Sequence, residues 1–249
     1  MELVLLTALG VGTATVFGSV IGFLFKKISH KFSDIVLSFA AGVMLCAAVM
    51  GLIIPSLESG NKFSLFVTIA GIFAGALTLN VIDKVVPHLH RLAGTDIESH
   101  HKTDLNKTLL FVTAIAIHNL PEGIAAGVSF GSGDASHALI IAGGIALQNI
   151  PEGMIIISPM LLAGISPKRT FLIAAATGLI EVAGTFIGYF AVSISAAILP
   201  FALAFAGGTM LYVVSDEMIP ETHHQESPTV TYALLFGFCL MLIGDVLLG

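Results

Sequence analysis

Charged residues are scarce in this chain of 249 residues. They make up 10% of it, whereas hydrophobic residues make up 56% and the mean hydropathy is +0.99. An ordinary soluble protein carries about 25% charged residues, so this composition excludes a soluble globular domain. The net charge of −6 carries little information, because most charges lie in short loops. No nucleic-acid partner is expected.

Cysteine and N-terminal basic residues are also scarce. Cys46 and Cys239 both lie inside apolar runs, which argues against a disulfide framework or a thiolate metal cluster. The first apolar run is preceded by Glu2 rather than by a basic segment, and it exceeds the roughly 7–15 apolar residues of a signal peptide. We therefore predict that this run is a membrane span.

Eight apolar runs are long enough to cross a bilayer, which takes roughly 20 residues. Their approximate limits are residues 3–25, 34–55, 64–83, 107–131, 136–162, 169–191, 196–215 and 229–248. The sequence thus predicts an all-α integral membrane protein with one polytopic domain over residues 1–249. A cytoplasmic, His-containing loop is expected at about residues 84–106.

The ten Lys and Arg residues are unevenly distributed. Nine follow the first, third and fifth spans, and only Lys62 falls on the opposite side. Because basic loops are retained in the cytoplasm, both termini are predicted to lie outside it. The expected location is the cell (plasma or inner) membrane.

A six-residue phrase occurs twice inside these spans, as HNLPEG at residues 118–123 and QNIPEG at residues 148–153. Each copy places a carboxylate and a proline at membrane depth, where an ionisable group indicates a functional site. Each proline also frees the carbonyl oxygen four residues before it, so the fourth and fifth spans are expected to be interrupted. Consecutive spans are antiparallel, so the phrases should meet near mid-membrane about a pseudo-two-fold axis. The polar residues predicted to bind a cation there are His118, Asn119, Glu122, Gln148, Asn149 and Glu152.

A third carboxylate, Glu181, lies in the middle of the sixth span. No Lys or Arg lies at mid-membrane to balance three carboxylates, so a bound divalent cation would neutralise them. Imidazole, amide and carboxylate ligands without thiolate suit a transition metal that is bound moderately and released. The alternatives are proline kinks with satisfied polar groups, and a glutamate kept neutral by a hydrogen bond.

The paired phrases, the eight spans with outside termini and the His-bearing loop resemble the ZIP (Zrt/Irt-like) family of divalent metal transporters, over essentially the whole chain. The resemblance implies a 3+2+3 arrangement, with spans 1–3 and 6–8 as inverted repeats around spans 4 and 5. It also implies transport toward the cytoplasm through a two-metal centre bridged by Glu122 and Glu152. The metal contacts that it implies are Met44, His118, Asn119, Glu122, Gln148, Asn149, Glu152 and Glu181.

The metal is expected to be the substrate rather than a prosthetic group. Zn²⁺ is the first expectation, with Fe²⁺, Mn²⁺ and Cd²⁺ as further candidates, and a homodimer is implied by the resemblance alone. Two positions depart from the family pattern, since many members carry His at the position of Gln148 and some bacterial relatives carry an acid at that of Asn149. These departures weaken the prediction of a second metal position.

Acidic and histidine residues in two cytoplasmic loops form weaker predictions. Those between spans 3 and 4 could receive or sense emerging metal, or could simply belong to a solvated loop. Those between spans 7 and 8 could line its exit. The residues are His88, His90, His100 and His101 in the first loop, and Glu217, Glu221, His223, His224 and Glu226 in the second.

Two other function classes fit the sequence less well. Residues 127–131 match the G-x-S-x-G pattern of serine hydrolases, but an intramembrane hydrolase of that kind needs a strand–turn–helix context, and no H-E-x-x-H motif is present. A proton-coupled carrier of an organic solute would be expected to place a cation or a helix N-terminus against an anionic substrate. The spans contain no mid-membrane Lys or Arg for that purpose.

Overall fold

A computed structural model describes residues 1–25, 29–58, 63–85, 102–222 and 227–248, and these contain helices and no strand. Seven of the helices are long and apolar enough to cross a membrane, and an eighth of 28 residues carries the first phrase. The prediction of an all-α, multi-pass membrane protein is confirmed. The helices are α1 (Glu2–Leu24), α2 (His30–Leu57), α3 (Ser64–Val85), α4 (Lys102–Ser129), α5 (Ala135–Leu162), α6 (Pro167–Ile194), α7 (Leu199–Thr222) and α8 (Pro228–Leu248).

Two helices begin before their apolar runs because polar residues cap them. The Ser29 side chain accepts a hydrogen bond from the backbone N–H of Phe32, so α2 starts four residues before the predicted limit. Asp134 accepts from the backbone N–H groups of Ser136 and His137, at 2.9 and 3.1 Å, and thereby starts α5. Side-chain oxygens at this position satisfy N–H groups that have no partner within the helix.

The phrase prolines do not break their helices. Pro121 lies inside the continuous helix α4, and Pro151 lies inside α5. The expectation that these two spans are interrupted was therefore wrong at the level of the helix path. A proline removes one intrahelical hydrogen bond, and neighbouring helices allow the helix to continue past it.

The irregular segments lie instead in α2 and α7. Each changes to π-helix in its second half, at Ala47–Ile53 in α2 and Val214–Met218 in α7. Short π segments inside α-helices are frequent at functional sites. In both helices a proline follows within two residues, Pro55 in α2 and Pro220 in α7.

The helices pair as two inverted repeats around a central pair. Helix α1 packs on α5 as α6 packs on α4, α3 packs on α7 as α8 packs on α2, and α2 contacts α5 as α7 contacts α4. Two further contacts, α1 with α6 and α4 with α5, join equivalent helices. This pairing is the pattern expected when α1–α3 and α6–α8 are related by a two-fold axis that passes between α4 and α5.

Glycines divide the bundle into two units, which we call the site unit (α1, α4, α5 and α6) and the flanking unit (α2, α3, α7 and α8). Within a unit, a Cβ added to most interhelical glycines would strike the backbone of the next helix, as Gly123 would strike Glu181 and Gly42 would strike Leu234. At the boundary it would meet side chains, as Gly51 would meet Ile141 and Gly144 would meet Met241. Small residues let membrane helices approach closely, so the tightest backbone contacts lie inside each unit.

Candidate metal centre

Glu181 joins three helices at the middle of the site unit. Its Oε1 accepts hydrogen bonds from Thr15 Oγ1 of α1 at 2.6 Å and from Asn119 Nδ2 of α4 at 2.5 Å. Its Oε2 accepts from Asn149 Nδ2 of α5 at 2.6 Å. The four side chains are buried. The structure thus brings the two phrases and Glu181 together, as the sequence predicted, and adds Thr15.

Many side-chain oxygens around this cluster have no hydrogen-bond partner. Both carboxylate oxygens of Glu122 are buried and unpaired, and so are one oxygen of Glu152 and the amide oxygens of Asn119, Gln148 and Asn149. An unsatisfied buried polar group costs about 1–3 kcal/mol, so this concentration in two phrases requires an explanation. Oxygen atoms without donors are the ligands that a hard or borderline cation would take up.

Electrostatic coupling shows which of these groups are neighbours. Glu122 interacts with the charges of Glu152 and Glu181, and the Gln148 side chain approaches Glu122 without the geometry of a hydrogen bond. Glu152 in turn interacts with His118. The side chains that interact electrostatically in this centre are therefore those of Glu122, Glu152, Gln148 and His118, as expected from the symmetric positions of the two phrases.

Carboxylate and imidazole groups alone do not complete a cation site. In the part of the chain that the structure describes, no three His, Cys, Asp or Glu residues are placed to hold one ion together. The amide oxygens of Asn119, Gln148 and Asn149 would therefore have to supply part of the ligand set. Amide and carboxylate oxygens together would give a site of moderate affinity.

His118 also contacts the flanking unit. Its Nε2 lies 2.6 Å from Glu217 Oε2, in the π segment of α7, and both side chains are mostly buried. This pair joins the first phrase to Glu217, one of the residues that the sequence suggested could line the exit. The loop histidines His88, His90, His100, His101, His223 and His224, together with Glu226, lie outside the described residues.

Met44 of α2 lies in the main hydrophobic core of the bundle. It is 1% exposed, in the same apolar cluster as Ile145 of α5 and Met210 of α7. Met210 occupies the equivalent position in the second repeat. The sulfur–metal contact that the family resemblance implies for Met44 stays a prediction.

Thr15 is the site residue that the sequence analysis missed. A signal was available, because residues 12–22 (GTATVFGSVIG) and 178–188 (GLIEVAGTFIG) align with an offset of 166 positions. The same offset aligns residues 39–45 (FAAGVML) with 205–211 (FAGGTML). In this alignment Thr15 is the counterpart of Glu181.

The serine of the hydrolase-like pattern has a structural role. Ser129 is the last residue of α4 and is 1% exposed, and its hydroxyl donates to the carbonyl oxygen of Ala126 at 2.8 Å. Ser132 likewise donates to the carbonyl oxygen of Ser129. Neither hydroxyl is paired with a histidine in the contacts described for it.

Comparison with known proteins agrees with the family resemblance seen in the sequence. The family described as ZIP zinc transporter matches residues 92–245. The chain is 39% identical to the zinc transporter GufA of Myxococcus xanthus over 98% of both chains. It is 36% identical to the zinc transporter ZIPB of Bordetella bronchiseptica, over 95% of this chain and 78% of that protein. It is 34% identical to the zinc transporter ZupT of Chlorobaculum parvum, over 95% and 94% respectively.

The long apolar helices define a multi-pass membrane protein, and the family and relatives that it matches are zinc transporters. The chain belongs to the ZIP family of zinc transporters.

Proposed function

We propose that this protein carries divalent transition metal ions across the cell membrane toward the cytoplasm, with Zn²⁺ as the first substrate. The observation that carries the proposal is the set of buried, unpartnered oxygens in the two phrases. The zinc transporters GufA, ZIPB and ZupT, to which the chain is similar, support the choice of metal. Fe²⁺, Mn²⁺ and Cd²⁺ are further candidates, because the ligand set contains a single imidazole.

The metal is proposed to bind between the two phrase carboxylates. Glu122 and Glu152 interact electrostatically across the α4–α5 contact and would both lie against a shared ion. Gln148 and His118 neighbour them, and Asn119 and Asn149 add amide oxygens. A divalent ion would neutralise the two charges, which lie in an interior without Lys or Arg. This arrangement binds the cargo without thiolates, which would hold zinc more tightly.

The proposed direction of transport combines topology with the position of Glu217. The nine basic residues that follow the odd-numbered spans support cytoplasmic loops there, with both termini outside. Helix α7 ends at that side, and its π segment carries Glu217 against His118. An ion leaving the centre toward the cytoplasm would pass this carboxylate first.

Movement of the site unit against the flanking unit is the proposed route of alternating access. Backbone-to-backbone glycine contacts hold each unit together, whereas the boundary glycines meet flexible side chains. The hydrogen bonds of Ser56 and Asn80 stay inside the flanking unit, and those of Glu181 stay inside the site unit. Side-chain contacts slide more readily than interlocked backbones, so the boundary is where displacement meets least resistance.

Metal uptake by the purified chain in proteoliposomes tests this function. Uptake of Zn²⁺, Fe²⁺, Mn²⁺, Cd²⁺ and Mg²⁺ should be compared in the same vesicles, with protein-free vesicles as the blank. We expect saturable uptake of transition metals and none of Mg²⁺. Failure to accumulate any transition metal by correctly inserted protein would overturn the proposal. A homodimer stays a prediction that rests on the family resemblance.

A further inference from the structure

Thr15 and Glu181 are equivalent positions of the two repeats, yet they carry different chemistry and contact each other directly. The Thr15 hydroxyl donates to Glu181 Oε1 at 2.6 Å, and both side chains are fully buried. Beside them, Gly12 and Gly178 meet so closely that a Cβ on either would strike the carbonyl oxygen of the other. The close approach of α1 and α6 therefore holds this pair near the symmetry axis.

Glu181 accepts three hydrogen bonds. Two of them come from asparagine side chains and fix the orientation of the amide group in each. Asn119 and Asn149 each turn their NH₂ group toward a Glu181 oxygen, at 2.5 and 2.6 Å. The opposite orientation would place an amide oxygen against a carboxylate oxygen, so the donor requirement fixes the amide assignment. As a result, both Oδ1 atoms are turned away from Glu181, and both are buried without a partner.

We propose, on the basis of the metal transport function above, that Glu181 is a positioning residue held in place by Thr15. It orients the oxygens of Asn119 and Asn149 toward the cargo. Asn149, at the position where some bacterial relatives carry an acid, donates to Glu181 in this hydrogen-bonded group, so the centre binds one metal ion per chain. Asn149 determines the number of metal ions in this proposal, because an aspartate at that position has no N–H to donate to Glu181.

Metal stoichiometry of the full-length protein in detergent tests the proposal directly. Bound Zn²⁺ is measured by equilibrium dialysis, and the value for the Glu122→Ala/Glu152→Ala double variant is subtracted to remove binding by loop histidines. We expect one Zn²⁺ per chain at the centre of the native protein and two in Asn149→Asp. The single-metal proposal is overturned if the native protein binds two Zn²⁺ ions per chain, or if Asn149→Asp binds no more Zn²⁺ than the native protein.

Affinity measurements separate positioning from general support of the fold. Outer-shell partners of metal ligands typically contribute 10- to 100-fold in affinity, so Thr15→Val should weaken Zn²⁺ binding and raise the KM for uptake by at least about tenfold. Thr15→Ser keeps the hydroxyl and should restore both values. Thr177→Val is the matched control, since Thr177 is equally buried on α6 and donates only to the local Ala174 carbonyl.

The outcomes distinguish this inference from the function on which it rests. Equal zinc affinities of Thr15→Val and Thr177→Val would remove the positioning role, while zinc uptake by the native chain would leave the transport function standing. If the Glu122→Ala/Glu152→Ala variant bound as much Zn²⁺ as the native chain, the proposed centre itself would be wrong. Should Thr15→Val fail to give monodisperse protein, the Asn149→Asp stoichiometry still decides.

Discussion

His118 Nε2 and Glu217 Oε2 lie 2.6 Å apart across the boundary between the site unit and the flanking unit. The histidine belongs to the first phrase on α4, and the glutamate belongs to the π segment of α7. Both are mostly buried, so their interaction is stronger than that of an exposed pair. Any displacement of the site unit must separate these two side chains or place something between them.

The first prediction concerns Glu217→Gln. Because Glu217 draws His118 toward α7, its loss should leave the imidazole available to the metal at the centre. Partners outside the ligand shell typically change metal affinity by about 10- to 100-fold, so the KM for zinc should fall by about tenfold. The maximal rate of uptake should fall as well, because release slows. Initial rates over a range of zinc concentrations measure both.

Asp216→Asn is the control for this change. Asp216 neighbours Glu217 in the same π segment, but its side chain is exposed. The control should leave KM and maximal rate unchanged. A raised KM in Glu217→Gln would contradict the prediction, because it would mean that Glu217 helps to capture zinc rather than to release it.

The second prediction concerns the phrase carboxylates. Glu122→Ala should reduce zinc uptake to the level of protein-free vesicles, and Glu152→Ala should do the same. Each removes the negative charge that the bound cation needs, and each is buried among groups that cannot replace it. Uptake of ⁶⁵Zn into proteoliposomes checks this result, with size-exclusion profiles confirming folded protein.

Glu58→Ala provides the comparison for the carboxylate variants. Glu58 is an exposed residue at the end of α2, so its removal should leave most of the uptake intact. Normal flux through well-folded Glu122→Ala protein would show that the metal passes elsewhere.

The number, order and approximate limits of the helices could be predicted because each apolar run must match the thickness of a bilayer. The meeting of the two phrases followed from the antiparallel order of neighbouring spans. Helix ends were less predictable where capping decides them, as Ser29 and Asp134 do. The continuation of α7 to Thr222 passes beyond the apolar run through Asp216 and Glu217, which hydropathy treats as loop residues.

The hydrogen bonds of Glu181 could not be predicted from the motif. The sequence does not distinguish a carboxylate that binds a metal from one that accepts hydrogen bonds. The role depends on which donors the packing of the helices brings close to it. Thr15 is an ordinary threonine in an apolar run, and only its alignment with Glu181 in the repeat singles it out. The π segments also left no clear sequence pattern, because they depend on tertiary contacts.

The third prediction tests the backbone contacts of the site unit with two glycines of the same helix. A Cβ at Gly153 would strike the carbonyl oxygen of Thr15, whereas a Cβ at Gly143 meets nothing. Gly153→Ala should destabilise the protein by about 1–3 kcal/mol through overpacking and reduce uptake. Gly143→Ala should leave both unchanged. Thermal unfolding in detergent compares them, and equal melting temperatures would contradict the close α1–α5 contact.

The fourth prediction concerns orientation. In a background with Cys46→Ala and Cys239→Ala, Ser136→Cys should react with an impermeant thiol reagent added outside the cell, and so should Leu248→Cys. Ser166→Cys should react only after the membrane is opened. Ser136 is exposed at the start of α5, and Ser166 is exposed beyond its other end, where α6 begins. Solvent access therefore does not limit labelling. The reverse pattern would place the termini in the cytoplasm and invert the proposed direction.

The fifth prediction concerns residue 148 and metal selectivity. Gln148 is fully buried, and both its polar atoms lack a hydrogen-bond partner, so its amide oxygen is available to the cargo. An amide oxygen is a neutral, harder ligand than imidazole, and the native protein should therefore accept Fe²⁺, Mn²⁺ and Cd²⁺ as well as Zn²⁺. Gln148→His should favour Zn²⁺ over these ions and slow its release. Competition between ⁶⁵Zn and each other metal measures the change.

A histidine at position 148 should also make uptake depend on pH. Imidazole titrates near neutral pH, and its protonated form cannot bind a metal. Uptake by Gln148→His should thus fall more steeply than uptake by the native protein as the pH drops from 8 to 6, over the range about the ordinary histidine pKa of ~6.5. Gln148→Asn, which keeps an amide on a shorter side chain, controls for the change of shape. If Gln148→His matches the native selectivity and pH profile, or if the native protein excludes Fe²⁺, Mn²⁺ and Cd²⁺, residue 148 does not determine selectivity.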